Sequence, residues 1–507
     1  MGNDRNHINS ISGRDGILDR SNSEYKIPFG RSEALEKHPT FIPNAPLDDE
    51  LTYKSRLNAP QQAIVNLCLA SLGIGGLLFP GGVARAAPSL LFTMFFLMIA
   101  WRSTALLAGW VLSRSHQPDL SQPPAHTELP IYTILIPAYQ EQDLMTQIAT
   151  AMTALDWPTD QLDIIILLEV DDPETLIAAK AAPFPAQTRI CLIPRGGPRT
   201  KPNALNHGLQ HAKGEFVTVY DVEDLPDPNQ LWAAYHAFKN SPAQLACLQA
   251  PLIADNADRG WLAAQWALEY AIQFRILLPG LALYQMPLLL GGTSNHFRKD
   301  ALLSLGGWDA WNVTEDADLG MRLARASLRA STISVPTYED APTRFSIWMA
   351  QRSRWIKGHL QTWLVLMRTP IKTCRQMGFA SFVSMQLSLG AGILAPLFHA
   401  PCCAFVIAAL VLPDVQLGLT GYLLLASGLT TGLVSGFAAP GRWTLRRVLA
   451  ILTQPLYWPL HSLAAYRAIW ELAKKPFFWA KTPHLPRSNE STDYCSTGSS
   501  ASALPPA

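Results

Sequence analysis

IYTILIPAYQE, residues 131–141, is an apolar run that ends on polar side chains. Further apolar runs, rich in Ile, Leu and Val, occur at 162–170, 189–194 and 215–220. Amphipathic stretches with helical spacing separate them, at 143–155, 173–182 and 202–212. This alternation predicts an α/β fold with a mostly parallel, Rossmann-like sheet covered by helices on both faces. Ligands bind such sheets beyond the carboxyl ends of the strands, so the residues that follow each strand are the first candidates for a site.

Acidic side chains follow three of the predicted strands. They are Glu141 after the first, Asp171 and Asp172 after the second, and Asp221, Glu223 and Asp224 after the fourth. A single acidic residue at such a place is usually a helix cap, and Asp172 directly before Pro173 fits that role. Three acidic strand ends at one sheet edge instead predict a negatively charged pocket. Carboxylates at close range are costly unless a cation lies among them, so a divalent ion, Mg²⁺ or Mn²⁺, is expected there and would also bind phosphate oxygens.

Two more motifs lie downstream of the acidic strand ends. Thr314-Glu315-Asp316 opens a predicted helix, and it is either an acidic helix start or the place of a general base, Asp316. The second motif is Gln351-Arg352-Ser353-Arg354-Trp355, on an amphipathic stretch that also carries other tryptophans. Such a stretch is typical of a helix on the membrane surface. The same helix can offer arginine to a diphosphate and an aromatic face to a sugar ring, so both interpretations hold together.

Apolar runs of membrane-spanning length flank this α/β region. Residues 62–84 and 89–112 predict a transmembrane hairpin with a turn at 85–88, because more than 20 residues nearly free of charge disfavour two helices of a soluble core. Further apolar segments lie around 380–412, 417–439 and 448–470. They predict two spans, with the third segment either crossing the membrane or lying at its surface. Lys and Arg residues next to these segments favour a cytoplasmic location for the α/β region in an inner or plasma membrane.

Composition restricts the classes of function. The 507 residues include 40 Lys and Arg and 39 Asp and Glu, a formal net charge of +1, so nucleic acid is not expected as a partner. The seven cysteines have no spacing typical of zinc sites or of a disulfide framework. Residues 1–60 contain no apolar core followed by a cleavage site, so no removable signal peptide is expected.

These patterns divide the chain into segments. They are a polar N-terminal region at 1–60, the hairpin at 61–113, a linker at 114–129, the α/β domain at 130–345, interfacial helices at 346–379, spanning or interfacial helices at 380–470, a gating segment at 471–486 and a disordered tail at 487–507.

The acidic strand ends, Thr314-Glu315-Asp316 and Gln351-x-x-Arg354-Trp355, in this order between membrane segments, resemble the family 2 glycosyltransferases with a GT-A fold. The resemblance is strongest to the membrane-bound, cellulose-synthase-like branch, and it covers roughly residues 130–370 with the flanking spans. It implies an inverting enzyme that transfers a hexose from a nucleotide-sugar, expected to be a UDP-sugar, to a growing polysaccharide. Coupling to export through partner subunits is left open. The alternatives are transfer of a single sugar to a lipid acceptor in the membrane and a non-catalytic assembly subunit.

The resemblance also implies roles for individual residues. Asp316 would take the proton of the acceptor hydroxyl, and Asp221 would hold the metal together with Glu223 or Asp224. The donor and its nucleotide would contact Pro137, Tyr139, Glu141, Asp171, Asp172, Lys201, Asn206 and Asp221. The acceptor and the diphosphate would contact Thr314, Glu315, Gln351, Arg352, Arg354 and Trp355. This chain departs from the family pattern at Glu223, where the family has a second aspartate, so the metal ligand beside Asp221 is either Glu223 or Asp224.

Overall fold

The computed structural model describes residues 26–28, 47–113 and 128–478. The predicted tail at 487–507 lies outside these ranges, as do most of the N-terminal region at 1–60 and of the linker at 114–129. Of the predicted gating segment at 471–486, residues 479–486 also lie outside them.

Two sheets form the α/β region. The strands are β1 Lys26–Pro28, β2 Tyr132–Ala138, β3 Leu162–Glu169, β4 Arg189–Ile193, β5 Phe216–Val219, β6 Leu225–Pro226, β7 Leu245–Gln249, β8 Leu252–Ala254, β9 Asn295–Arg298, β10 Arg329–Thr332 and β11 Thr337–Glu339. The larger sheet has the order β1-β4-β3-β2-β5-β9-β7-β10, and the smaller has the order β6-β11-β8.

Strands β2 to β5 are the four strands predicted from the apolar runs, and they pair in parallel. Both faces of these strands are buried. Ile134 of β2 and Ile164 of β3 belong to one hydrophobic cluster, whereas their neighbours Leu135 and Ile165 belong to another on the opposite face. Burial on both faces is the reason why these strands are continuously apolar, and the predicted α/β fold with a mostly parallel sheet is confirmed.

Helices cover the sheet and extend from it. They are α1 Ala59–Leu78, α2 Pro80–Ser113, α3 Met145–Thr153, α4 Pro173–Ala181, α5 Lys201–Leu209, α6 Gln230–Lys239, α7 Trp261–Ile272, α8 Leu278–Leu283, α9 Lys299–Ser304, α10 Glu315–Arg325, α11 Phe345–Leu366, α12 Pro370–Met377, α13 Phe379–Met385, α14 Ala391–Val411, α15 Leu419–Ala438 and α16 Leu445–Lys474. A π-helical segment, Gln273–Leu277, joins α7 to α8.

Four helical segments in the described part of the chain are long and apolar enough to cross a membrane. They are Ala59–Leu78, Pro88–Leu112, Gly392–Val411 and Leu419–Ala438. The first two form the predicted hairpin, but the turn lies at Phe79 and not at 85–88. Pro80 begins α2, where proline is tolerated because the amide of a first helical residue has no helical partner, and Pro88 lies inside the helix.

Glycine allows α2 to approach the α/β region closely. A Cβ atom added at Gly109 of α2 would lie 1.8 Å from the carbonyl oxygen of Ile276, and one at Gly280 of α8 would lie 1.8 Å from that of Ala105. Backbone atoms cannot yield as a flexible side chain can. The two helices are therefore in contact through their backbones, which fixes α2 next to the segment that follows α7.

We expect Gly280→Ala to destabilise the protein, because the added methyl group forces α8 and α2 apart. Overpacking of this kind typically costs about 1–3 kcal/mol. Gly76→Ala in α1 is the matched control, since a Cβ there meets nothing within 4 Å. The measurement is the midpoint temperature of thermal unfolding of the purified protein. If Gly280→Ala unfolded at the same temperature as the wild type and Gly76→Ala, the close contact between α2 and α8 would not be required for stability.

Candidate active site

A cavity of about 1870 Å³ opens at the carboxyl ends of the parallel strands. Its wall includes residues that follow β2 and β5 and the last residue of β3, Glu169, as expected for a sheet of this kind. Most of the residues that the sequence motifs predicted lie on this wall. They are Pro137, Tyr139, Glu141, Lys201, Asp221, Glu223, Thr314, Glu315, Asp316, Gln351, Arg352, Arg354 and Trp355.

Lys201, the first residue of α5, connects two sides of the cavity. Its ammonium nitrogen lies 2.5 Å from Asp221 Oδ1 and donates a hydrogen bond to the carbonyl oxygen of Gly292 at 2.6 Å. A Cβ atom on Gly292 would lie 3.5 Å from Asp316 Oδ2 and 3.7 Å from Lys201 Nζ. Burial lowers the pKa of Lys201, but Asp221 and Glu315 outweigh this effect and raise the pKa, so the ammonium group is charged. Lys201 is therefore paired with Asp221 and interacts electrostatically with Asp316.

Asp224 is fully buried behind the cavity wall. It accepts a hydrogen bond from the backbone N–H of Asp221 at 2.7 Å and another from the hydroxyl of Thr293. These bonds fix the turn that follows β5. Glu223, in contrast, lines the cavity beside Asp221. Of the two residues considered as the second metal ligand, Glu223 thus faces the site and Asp224 holds the turn in place.

The carboxylates of Asp221 and Glu223 fit a divalent cation. The described residues contain no group of three or more His, Cys, Asp or Glu side chains that could hold a metal ion. Magnesium commonly uses one or two carboxylates together with substrate phosphates, so a pair facing a cavity is sufficient. Burial raises the pKa of Glu223 to about 8, and the charge of Asp221 acts in the same direction. A cation between the two carboxylates would offset the free-energy cost of holding two negative charges side by side in a partly buried place.

Asp316 lies in the first turn of α10, half-buried at the wall of the cavity. Its Oδ1 atom accepts a hydrogen bond from the backbone N–H of Ala317 at 2.8 Å. Burial raises the pKa of Asp316, although this hydrogen bond and Lys201 oppose the shift. Burial and the charge of Asp316 also raise the pKa of the neighbouring Glu315 to about 7. A carboxylate with a raised pKa accepts a proton more readily, which suits a general base.

Helix α11 packs directly against the start of α10. A Cβ atom on Gly358 would lie 2.2 Å from Thr314 Oγ1, so glycine is needed for this approach. Gln361 accepts a hydrogen bond from the backbone N–H of Val313 at 3.1 Å, and Thr362 accepts one from the amide of Asn312 at 2.9 Å. These contacts bring the Gln351–Trp355 motif to the same cavity as Asp316.

Within that motif, Arg352 is held by other protein groups. Its guanidinium lies 4.5 Å from the ring centre of Trp266 and 4.8 Å from that of Trp355, and it forms an ion pair with Glu269 of α7. Gln351 and Arg354 also line the cavity, and the Oε1 atom of Gln351 is buried without a hydrogen-bond partner in the described chain. The charge of Arg352 is therefore already engaged by Trp266, Trp355 and Glu269.

Four predicted site residues do not line the cavity. Asp172 caps α4 through the backbone N–H of Thr175 at 3.2 Å and accepts a hydrogen bond from the backbone N–H of Gln140. The others are Asp224, described above, Asp171, which pairs with Arg199, and Asn206, which exchanges hydrogen bonds with the backbone of Trp308 at 2.8 and 2.9 Å.

The cavity also includes charged residues that the motifs did not single out. Glu169 ends β3, and burial, together with the charge of Asp171, raises its pKa to about 7. Arg102, Arg199, Glu269, Glu339 and Asp340 belong to the same group. Glu269 and Arg102 are ionisable residues within apolar stretches, a signal that could have drawn attention to both.

Comparisons with known proteins agree with this geometry. Residues 130–358 match the family model described as "Glycosyltransferase like family 2". A probable glycosyltransferase of Bacillus subtilis (strain 168) is 25% identical over 236 residues, which cover 46% of this chain and 56% of that protein. A beta-monoglucosyldiacylglycerol synthase of Synechocystis sp. is 26% identical over 275 residues, which cover 51% of this chain and 55% of that protein. Cellulose synthase 2 of Novacetimonas hansenii is 26% identical over 258 residues, which cover 50% of this chain and 16% of that protein.

The chain spans about half the length of the first of these curated relatives. Among solved structures, the mannosyltransferase PcManGT of Pyrobaculum calidifontis, in complex with GDP-Man and Mn²⁺, superposes with a TM-score of 0.50 at 19% identity. The superposition covers 76% of this chain and 99% of that one, and it shows a shared fold. The resemblance drawn from the motifs is thus confirmed for residues 130–358, which match the family 2 glycosyltransferase model, and the predicted GT-A fold is confirmed by the superposition.

Proposed function

We propose that this protein is a membrane-bound, inverting glycosyltransferase that uses a nucleotide-sugar as donor. The observation that carries the proposal is the convergence of Asp221, Lys201 and Asp316 on one cavity, with Arg354 and Trp355 on the same wall. This arrangement supplies a carboxylate that can accept a proton, cations for a diphosphate and an aromatic face for a sugar ring.

In the proposed reaction, Asp316 takes the proton of an acceptor hydroxyl. The acceptor oxygen attacks the anomeric carbon of the donor sugar, the bond from that carbon to the diphosphate oxygen breaks, and the nucleoside diphosphate leaves. Attack from the side opposite the leaving group inverts the configuration. Lys201 and Arg354 would stabilise the negative charge that develops on the diphosphate. A divalent ion held by Asp221 and Glu223 would neutralise more of that charge.

The shape of the cavity favours a lipid as the acceptor. From Asp316 the cavity continues between α2, α14, α15 and α16, where its wall is largely apolar. Relatives named for a lipid product and for cellulose both match this chain, so their names do not decide between the two. The resemblance of the Gln351–Trp355 motif to processive enzymes keeps a growing polysaccharide, with its export partners, as the second candidate.

We further propose that the glycosyltransferase domain faces the cytoplasm. Lys357 lies on α11, Lys372 and Arg375 lie on α12, and Arg368 lies between these two helices. All four precede the candidate span in α14, from which α13 separates them. Positively charged residues close to the end of a span favour the cytoplasmic side of a membrane.

A donor screen tests the proposed function. The purified protein in lipid nanodiscs is incubated with UDP- and GDP-sugars, free nucleotide is measured, and products are separated into an organic extract and a polymer fraction on a gel. We expect nucleotide release from at least one donor, with labelled sugar in the organic extract. Sugar in the polymer fraction would favour the polysaccharide alternative. No release from any donor in the presence of metal and membrane lipid would contradict the proposal.

Metal removal is expected to abolish transfer. Treatment with EDTA should reduce nucleotide release to the background rate, because two adjacent carboxylates and a diphosphate would then repel each other in a partly buried site. Adding Mn²⁺ or Mg²⁺ in excess should restore the rate, whereas Ca²⁺, which prefers more ligands at longer distances, should restore it less. A rate unchanged by EDTA would exclude a metal at Asp221 and Glu223.

A further inference from the structure

The cavity that begins at Asp316 has a second, membrane-side part. It lies between α2, α14, α15 and α16, and its wall includes apolar side chains such as Phe95, Phe398, Leu424 and Trp458. The candidate spans in α2, α14 and α15 supply most of this wall. An apolar space that connects candidate membrane spans to an active-site carboxylate has the form expected for lipid chains.

This apolar part contains a cationic residue, Arg102. It lies within the candidate span Pro88–Leu112 and lines the cavity. Arg102 shares a face of α2 with Ala105 and Gly109, three and seven residues later, which contact α8 and the π-helical segment. Within the described residues, Arg102 forms no hydrogen bond and no ion pair, and the charge that acts on it is that of Glu269. Ionisable residues in membrane spans are costly and generally have a functional partner.

Glu269 does not provide a full counter-charge for Arg102. Burial by itself raises the pKa of Glu269, but Arg352, His461 and Tyr457 outweigh it and lower the pKa to about 2, so the group is a carboxylate. This carboxylate already forms an ion pair with Arg352 and accepts a hydrogen bond from Tyr457 at 2.9 Å. Glu269 is thus paired with Arg352 and acts on Arg102 only at longer range, which leaves the charge of Arg102 without a contacting counter-charge beside a largely apolar cavity wall.

Uncommitted nitrogen atoms lie along the same part of the wall. His461 is only 8% exposed; its Nε2 atom lies 3.3 Å from Glu269 Oε1, whereas its Nδ1 atom has no hydrogen-bond partner within the described chain. His399 of α14 interacts electrostatically with His461 and with the backbone of Trp458, whereas its Nδ1 atom is buried without a hydrogen-bond partner within the described chain. Trp101, next to Arg102, also has a buried Nε1 atom without a hydrogen-bond partner within the described chain. Buried polar groups of this kind usually have a partner, so nitrogen atoms without one beside a cavity are available to bind a ligand there.

We infer that Arg102, His399 and His461 bind the phosphate of an anionic membrane lipid whose chains occupy the apolar part of the cavity. A headgroup hydroxyl of this lipid is the acceptor: it loses its proton to Asp316 and forms the bond to the anomeric carbon as the nucleoside diphosphate leaves. A phosphate group supplies the missing negative charge and accepts several hydrogen bonds at once. A neutral lipid would fill the apolar space but leave the excess charge unpaired. The role of the lipid as acceptor rests on the proposed function, whereas binding of the lipid can be tested without sugar transfer.

Lipid retention tests this site directly. The detergent-purified full chain is mixed with equal amounts of phosphatidylglycerol and diacylglycerol of the same acyl chains, and bound lipid is counted by native mass spectrometry. We expect the wild type to retain one phosphatidylglycerol in preference to diacylglycerol. Arg102→Gln should reduce this preference by about tenfold or more, because it removes a charged hydrogen-bond donor. Arg102→Lys, which keeps the charge, should retain part of the preference and covers the case in which Arg102→Gln does not fold.

Arg446→Gln is the control, since Arg446 is an exposed cation at the start of α16 outside the cavity. It should leave the lipid preference unchanged. Equal retention of diacylglycerol by the wild type, or an undiminished preference in a folded Arg102→Gln protein, would overturn the inference. Nucleoside diphosphate binding, measured on the same samples, separates the two proposals. Normal nucleotide binding without a lipid preference defeats the inference alone, whereas absent nucleotide binding defeats the proposed function.

Discussion

Replacing Asp316 with Asn is expected to lower the rate of sugar transfer by about 10²–10⁴-fold, the usual contribution of a general base. The amide keeps the size of the side chain and can still accept the hydrogen bond from the backbone N–H of Ala317, so the start of α10 should be unchanged. It cannot take a proton from the acceptor. Donor binding should therefore stay nearly as in the wild type while transfer is lost, which rate and binding measurements on the same sample would show.

The matched control for this variant is Asp300→Asn. Asp300 is an exposed aspartate in the first turn of another helix, α9, and does not line the cavity. Its replacement should leave both the rate and donor binding unchanged. If Asp316→Asn transferred sugar at the wild-type rate, Asp316 would have no part in the mechanism.

Asp221→Asn should cause a loss of similar size for a different reason. It removes one of the two carboxylates that face the cavity as a pair, and it removes the ion pair with Lys201, whose atoms are 2.5 Å apart. Metal ions contribute several kcal/mol to the stabilisation of charge in such reactions, which corresponds to a loss of about 10²-fold or more in rate. Unlike Asp316→Asn, this variant should also bind the donor weakly and should require much more Mn²⁺ for half of its residual activity.

Titration of the rate with Mn²⁺ separates these two variants. Asp160→Asn serves as the control for Asp221→Asn, because Asp160 is exposed before β3 and outside the cavity. An unchanged Mn²⁺ requirement in Asp221→Asn would remove Asp221 from the metal site, even if the rate fell.

The parallel core could be predicted from the sequence because its signal is local. Strands β2 to β5 are continuously apolar and are separated by amphipathic helices, so pattern and structure agree. β9, in contrast, pairs antiparallel with both β5 and β7, and its short run Asn295–Arg298 follows a small-residue stretch without strand periodicity. The hairpin turn predicted at 85–88 is wrong, because α2 continues through Pro88 and the turn lies at Phe79.

The position of two of the three acidic strand ends, Glu141 and Asp221 with Glu223, on one cavity could also be predicted, because strand ends share one edge of a parallel sheet. Asp171 and Asp172, after the other strand, do not line the cavity. The side-chain partners could not. Lys201 bonds to Gly292, 91 residues later, and Arg352 bonds to Glu269, 83 residues earlier, and no local pattern specifies such pairs. The same holds for Asp224, whose bond to Thr293 fixes a turn and which in sequence is indistinguishable from a metal ligand. The roles of the cavity residues in catalysis stay predictions, to be tested by the variants above.

The central claim is that Asp221, Lys201 and Asp316 surround a bound nucleoside diphosphate. Calorimetric titration of the wild-type protein in nanodiscs with UDP, GDP, ADP and CDP, each with Mn²⁺ and with EDTA, tests it most directly. We predict that at least one of these nucleotides binds at a one-to-one ratio in the presence of Mn²⁺, and that EDTA or Asp221→Asn abolishes or strongly weakens this binding. Failure of all four to bind in the presence of Mn²⁺, or binding that is equally tight in Asp221→Asn, would contradict the claim.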